Sequence, residues 1–430
     1  MRLFALSAWS ELVRIFLPST LRMAGAGIQF LCTIIVARLL GEHESAGFFF
    51  WSSVLMTSGP IATYGLEQIA LRNVPRLHEA GSEKVGEFLA SLRVVSLFVS
   101  FLIGFGMTVY AVFSEGPRGF QLWHLLPPLT ISAIAVTLIN GEALKGLARP
   151  VAGVVYGHLI PVSIFCVLCL LFANRLGSPG ILTLYTLSYL TAPLLLRFGP
   201  VPDFRQKLFA LPRWESFKSV LKEGFSVFCV NLFSSFTFIV PLALVELTCP
   251  PAEVAHLTTA YRITILFYVL ASSIHGVFAP EMSRAAEGPD PLRPVLRVYL
   301  KAIVFTLAPL SLPLVFGIAF PELVMSVFGE AFKSGATALR LLVIIQAIAL
   351  SLGPVFQLLL MTGNTALMAR LGILKIIVSI GLAFVLIPRF GGIGMILAMG
   401  GTGLLEEIYG LTVAFVRLKR KSRPAAEATA

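Results

Sequence analysis

Six charged side chains and two histidines interrupt stretches of this sequence that are otherwise apolar. Arg22, Arg93 and Arg262 bring guanidinium groups, Lys375 an ammonium, Glu406 and Glu407 adjacent carboxyls, and His158 and His275 imidazoles. Inside a bilayer such groups are costly, so they face a water-filled interior, pair with one another or hold a ligand. A guanidinium forks onto phosphate oxygens. Carboxyls and imidazoles take up and release protons. The set suits recognition of an anionic headgroup (Arg22, Arg262, Arg93) and an ion-coupled step or internal pair (Lys375, Glu406, Glu407). It does not suit bond chemistry: no His, Asp, Glu or Cys cluster has metal-ligand spacing, and neither a phosphate-cradling glycine loop nor an ATPase motif is present. No catalytic residue, metal or cofactor is expected.

Each position has a plainer competitor. Arg22 and Arg93 lie shallow in their spans, where a long side chain snorkels to the cytoplasmic surface; for Arg93 that is the preferred account. Arg262 lies about eight residues into its span, or ~12 Å at ~1.5 Å per residue, too deep for that escape. Lys375 and the two glutamates fall at matching depths of consecutive antiparallel spans, so an internal Lys–Glu pair relieves each charge of its desolvation. Neighbouring residues on a helix point ~100° apart, so only one glutamate suits that pairing and the other is left to face the lumen. His158 and His275 read first as hydrogen-bonded packing residues and second as proton relays. Cys166-x-x-Cys169, on a membrane helix with no His or acid beside it, reads as packing.

These side chains need elements to hold them, and composition sets which. Hydrophobic residues make up 57% of the 430 residues and charged residues 13%, against roughly a quarter charged in soluble domains. The chain is therefore an all-α polytopic membrane protein. About 20 apolar residues cross the hydrocarbon as a helix, and twelve windows qualify: 18–40, 45–66, 88–113, 122–143, 151–173, 179–199, 224–247, 254–279, 297–318, 338–361, 367–387 and 391–415. Pro127 and Pro128 disturb the start of the fourth. Pro60, Pro161, Pro193, Pro241, Pro309, Pro313 and Pro354 fall within spans, where proline kinks a helix.

Lys and Arg stay on the cytoplasmic side. They gather at the N-terminus, in the C-terminal tail and in the even-numbered connections, as with Arg72, Arg76, Lys145, Arg149, Arg205 and Lys207. The odd-numbered connections carry few, among them Arg118, Arg175, Lys333 and Arg389. Both termini are expected in the cytoplasm and the protein in the cell (inner or plasma) membrane. The first residues show no pattern of a cleaved signal. The net charge of +11 is spread over short loops, which excludes nucleic acid as a partner and fits anionic membrane lipids.

The loop "NRLGSPG" (Asn174 to Gly180) returns as "PRFGGIG" (Pro388 to Gly394), an offset of 214 residues between Arg175 and Arg389 (389 − 175). "VPRLHEAGS" after span two is echoed by "APEMSRAAEG" after span eight, and "LKGLARP" after span four by "LMTGNT" after span ten. Two six-span repeats account for this. Six is even, so the repeats share one orientation. The expected division is an N-terminal lobe 1–200, a cytoplasmic basic linker 201–223, a C-terminal lobe 224–416 and a tail 417–430.

At this level the residues resemble a family. "FPELVMSVFGEAFKSGATALRLL" (Phe320 to Leu342) is similar to the segment before span ten in the multidrug/oligosaccharidyl-lipid/polysaccharide (MOP) flippase superfamily, above all its polysaccharide-exporter branch. "GNTALMARLGILKIIVSIGLAFVLIPRFGGIGMILA" resembles the next two spans, and "GEHESAGFFF" and "PAEVAHLTTAYRI" the first outer turn of each half. The resemblance implies two six-helix lobes in a V around a central cavity. It implies translocation of a lipid-linked oligosaccharide, usually on undecaprenyl pyrophosphate, to the outer leaflet, alongside the glycosyltransferases and polymerase of the same pathway.

Three functions compete. A flippase for a lipid-linked glycan suits the cationic set. A cation-coupled multidrug antiporter of the sister branch needs membrane carboxylates, yet spans one to six hold none well inside; Glu67, Glu87 and Glu142 stand at edges. A membrane-embedded glycan polymerase or ligase needs a sizeable outer loop bearing acid, base or metal ligands, which this sequence lacks.

Overall fold

The computed structural model describes residues 2–79, 81–114, 120–198, 214–287 and 290–422. Arg118, most of the expected linker (201–213) and the end of the tail (423–430) lie outside the described residues, among which no strand occurs. The helices are α1 (Arg2–Ala62), α2 (Leu66–Glu79), α3 (Ser82–Ser114), α4 (Leu126–Gly146), α5 (Pro150–Val154), α6 (Ile160–Phe172), α7 (Ser178–Phe198), α8 (Trp214–Thr248), α9 (Pro251–Glu287), α10 (Leu292–Ala319), α11 (Pro321–Ser326), α12 (Ala336–Leu352), α13 (Val355–Met361), α14 (Thr365–Phe390) and α15 (Gly392–Lys421).

Ten segments among the described residues are long and apolar enough to cross a bilayer. The first, Thr20–Ala62, holds two expected spans, because α1 breaks at Gly41 with φ 73° and ψ 179°, a backbone that side chains disfavour. The twelfth expected span is α15, made less apolar by its glutamates, and it packs along α14. Pro127 and Pro128 sit in the first turn of α4, where the missing N–H leaves no helical bond unmade. Pro354 separates α12 from α13. Within the spans, Ser and Thr hydroxyls donate to carbonyls one turn back, as from Ser52 to Phe48 (2.6 Å), Thr186 to Leu182 (2.9 Å) and Thr402 to Ala398 (2.7 Å).

The chain forms two compact units, Met1–Ile239 and Val240–Ala430, with the boundary inside α8. This differs from the sequence-based division, which starts the second lobe at 224. The first part of α8 is tied to α1: Asn231 Nδ2 donates to Pro60 O (2.9 Å), Ser235 Oγ to Thr57 O (2.9 Å), and Phe228 stacks on Tyr64. A core of Leu66, Val74, Leu89, Ile139, Leu144 and Leu196 joins α2, α3, α4 and α7 in the first unit. In the second, Met282, Val298, Leu358 and Ala414 join α9, α10, α13 and α15.

Helices already in lipid gain little from burying Leu against Leu, so close backbone approach counts for more. Gly104 on α3 shows how close: a Cβ there would lie 2.3 Å from Pro128 Cα, whereas one at Gly106, two residues on, would meet nothing within 4 Å. Gly104→Ala is therefore expected to destabilise the first unit by ~1–3 kcal/mol, the usual cost of overpacking. Thermal unfolding in detergent should show a lower Tm for Gly104→Ala and an unchanged Tm for Gly106→Ala; equal values would contradict the α3–α4 contact.

Candidate functional site

In the first unit Arg93 does not reach for the surface. It is 3% exposed, on the face of α3 that packs against α4. Its Nε and Nη2 both donate to Asn140 Oδ1, at 3.1 and 2.9 Å, and Asn140 is itself 4% exposed. Ser96 continues that face and donates to Ala62 O at 2.9 Å. A polar seam thus runs between α1, α3 and α4, and Arg93 helps to hold the bundle together.

A second group involves α1, the end of α4 and the turn before α6. Arg22 is exposed on α1, while Lys145 near the end of α4 is bound to Glu142 one turn back (2.5 Å). The charges of Arg22 and Lys145 both act on His158. His158 occupies a single π turn, Val155–Leu159, between α5 and α6, just before Pro161. Such a wide turn shifts the register of every side chain after it. Just past span two, Glu67 is packed into the base of the unit, and burial pushes its carboxyl up from the ordinary value.

In the second unit, Arg262 is half-buried on α9 with its Nε shut off from solvent, after the buried Thr258 and Thr259 and beside Tyr261, whose hydroxyl reaches Met399 Sδ at 3.7 Å. Lys375 on α14 meets Glu406 on α15 at 2.6 Å, with the two side chains 33% and 24% exposed. Glu406, rather than Glu407, is the partner. Glu407 points elsewhere, and its Oε2 is buried without a hydrogen-bond partner. Tyr299 on α10, which feels the charge of Glu407, donates its hydroxyl to Leu352 O and so closes the end of α12. His275 on α9 likewise has a buried Nε2 without a partner. All five cysteines are free, and among the described residues no three His, Cys, Asp or Glu converge as metal ligands.

The repeat seen in the sequence has a structural counterpart. Glu253 Oε1, at the start of α9, accepts the N–H of Gly392 that opens α15, at 2.6 Å. Glu44, in the matching turn of the first unit, has its carboxylate beside Gly177, which precedes α7. Each carboxylate sits where the helix dipole favours negative charge.

A family model described as "Polysaccharide biosynthesis protein" matches residues 14–286. A protein of Haloferax volcanii, described as probable low-salt glycan biosynthesis flippase Agl15, is 24% identical over 393 residues, covering 87% of this chain and 77% of that protein. Among solved structures, an inward-facing multidrug resistance MATE family transporter of the MOP superfamily superposes with a TM-score of 0.70 at 16% identity, covering 96% of this chain and 100% of that one. A MOP superfamily transporter from Pyrococcus furiosus, reported as having a binding pocket of reverse polarity, gives 0.58 at 17% identity over 96% of each chain. These likenesses show the fold.

The Lys375–Glu406 pair is open to a double-mutant cycle. Lys375→Met and Glu406→Gln should each cost ~1–3 kcal/mol, below the ~3–5 of a fully buried pair because both groups keep some exposure. The double variant should regain part of that loss. Additive shifts in Tm would dissolve the pair.

Proposed function

We propose, since this chain belongs to the polysaccharide biosynthesis protein family of the MOP superfamily, that it is a flippase for a polyprenyl-pyrophosphate-linked oligosaccharide. It carries a polysaccharide repeat unit from the cytoplasmic to the outer leaflet by alternating access. In this reading the protein sits in the cell (inner) membrane with both termini cytoplasmic. Glycosyltransferases supply its cargo and a polymerase consumes it.

The observation that supports an anionic cargo is the sign of the first unit's charge. Its described carboxylates stand at the ends of the expected spans or between them: Glu42, Glu44, Glu67, Glu79, Glu87, Glu142 and Glu223. Glu142 is taken by Lys145, and Glu223 by Arg72 at 2.6 Å. The crossing segments of this unit hold Arg22 near the start of Thr20–Ala62, Arg38 just before the break at Gly41, and Arg93 buried within Lys84–Phe113. Of Arg22 and Arg93, Arg22 is the one exposed for a headgroup. Arg93, spent on Asn140, positions α3 and α4, and Arg262 offers a second guanidinium in the other unit. The second reading is a cation-coupled multidrug antiporter, favoured by Glu406 and Glu407 in the second unit.

In cells lacking their own flippase, Arg22→Ala and Arg262→Ala should each lower surface polymer about tenfold or more, the scale of one charge-assisted hydrogen bond at ~1.5–3 kcal/mol. The Arg→Lys variants should retain part of it, since an ammonium keeps the charge and loses the fork. Membrane abundance should be unchanged on immunoblots. Full polymer from both alanine variants would remove these arginines from the mechanism.

A further inference from the structure

We infer that Glu407 is the proton carrier of the second unit, a carboxyl that binds one H⁺ from one side of the membrane and releases one H⁺ to the other, beside a Lys375–Glu406 pair that stays ionised. The inference rests on the proposed transport function for what the proton drives, and on the geometry of the unit for where it binds.

Glu406 and Glu407 leave α15 ~100° apart. The first goes to Lys375. The second lies on the line of α15 that continues through Leu411, Ala414 and Leu418, which are packed in the core with α9, α10 and α13. Its Oε2 is therefore enclosed, and no donor reaches it. A carboxylate with a bare buried oxygen loses its hydration without replacement. One proton removes the charge and gives the group a donor.

The groups around it favour that role. The charges acting on Glu407 are those of Glu406 on its own helix and Lys375 on α14. From α10 comes Tyr299, whose hydroxyl is committed to Leu352 O. Helix α9 carries His275, whose own Nε2 is buried without a partner. Helix α13 carries no titratable side chain, and α12 carries only Arg340 near its outer end. With Lys375 and Glu406 paired, the three charges sum to −1 when Glu407 is ionised and to zero when it holds a proton. A metal cation fits poorly, because it wants several oxygen ligands, and the nearest second carboxylate already holds an ammonium that repels it. The coupled ion is a proton rather than sodium.

Infrared difference spectroscopy of the full-length protein in lipid nanodiscs tests this without any cargo. Wild type should show a protonated-carboxyl C=O stretch that disappears reversibly as pH rises. Glu407→Gln should lose that band entirely, and Glu407→Asp should move it. Glu281→Gln, a surface carboxyl change, should keep it, as should replacement of potassium by sodium. Size-exclusion profiles and thermal unfolding establish that each variant is folded; Glu407→Asp carries the test if Glu407→Gln is not. A band that survives Glu407→Gln or ignores Glu407→Asp, a band displaced by sodium, or no titrating band in wild type overturns the proposal. Failure of glycan transport with the band intact would count against the cargo alone.

Discussion

Moving an ion from water into a helix bundle costs several kcal/mol even after relaxation, and that loss is recovered only through good geometry and hydrogen bonds. Charged groups carried inside this chain's helices meet that demand in different ways. Arg93 spends two donors on Asn140 and vanishes from the surface. Lys375 and Glu406 neutralise one another across α14 and α15. Glu407 has an oxygen that no partner reaches, and Arg22 stays exposed. The first three are explained by the bundle. In the functions proposed above, Glu407 takes a proton and Arg22 an anion.

The internal repeat sharpens this distinction, because the two units share a scaffold and differ in charge. Val85, Leu89 and Leu92 in one core match Val295, Tyr299 and Ala302 in the other, each 210 residues on (295 − 85 for the first). The same offset sets Arg93 against Ile303. Ala143 and Leu144 match Leu358 and Leu359, 215 residues on (358 − 143), which sets Asn140 against Val355. A polar pair in one unit thus corresponds to an apolar pair in the other. Both members differ together, as expected when leaving one partner alone is what costs most. The carboxylates Glu44 and Glu253, by contrast, are present in both halves beside the starts of α7 and α15, so the scaffold's own fastening is kept while its charges diverge.

The spans and the repeat were legible because they are one-dimensional signals: apolar runs of crossing length, alternating Lys and Arg, and two loops with the same glycine spacing. The Lys375–glutamate contact was legible too, as matching depths on consecutive helices. Which glutamate answers Lys375 was not, since that depends on helix rotation rather than depth. Arg93 was misjudged toward snorkelling because counting residues from the span end treats a helix as alone in a slab. Its acceptor, Asn140, lies 47 residues away on a neighbour. The boundary inside α8 likewise depends on contacts between helices. Asn231 and Ser235 look like ordinary polar residues of a span, and only packing shows that they fasten α8 to Pro60 and Thr57. The π turn at Val155–Leu159 has no periodic signature beyond the proline that follows it.

The most direct test of an anionic, lipid-linked cargo is a proteoliposome assay that counts glycans reached by an impermeant external glycosidase. The same oligosaccharide is supplied on a polyprenyl pyrophosphate and on an uncharged polyprenyl carrier, with a cationic dye as a third cargo. The account predicts rapid protein-dependent exposure of the pyrophosphate-linked glycan, little of the uncharged one and no dye accumulation. Dye uptake driven by an ion gradient, with the pyrophosphate-linked glycan left where it started, would contradict it.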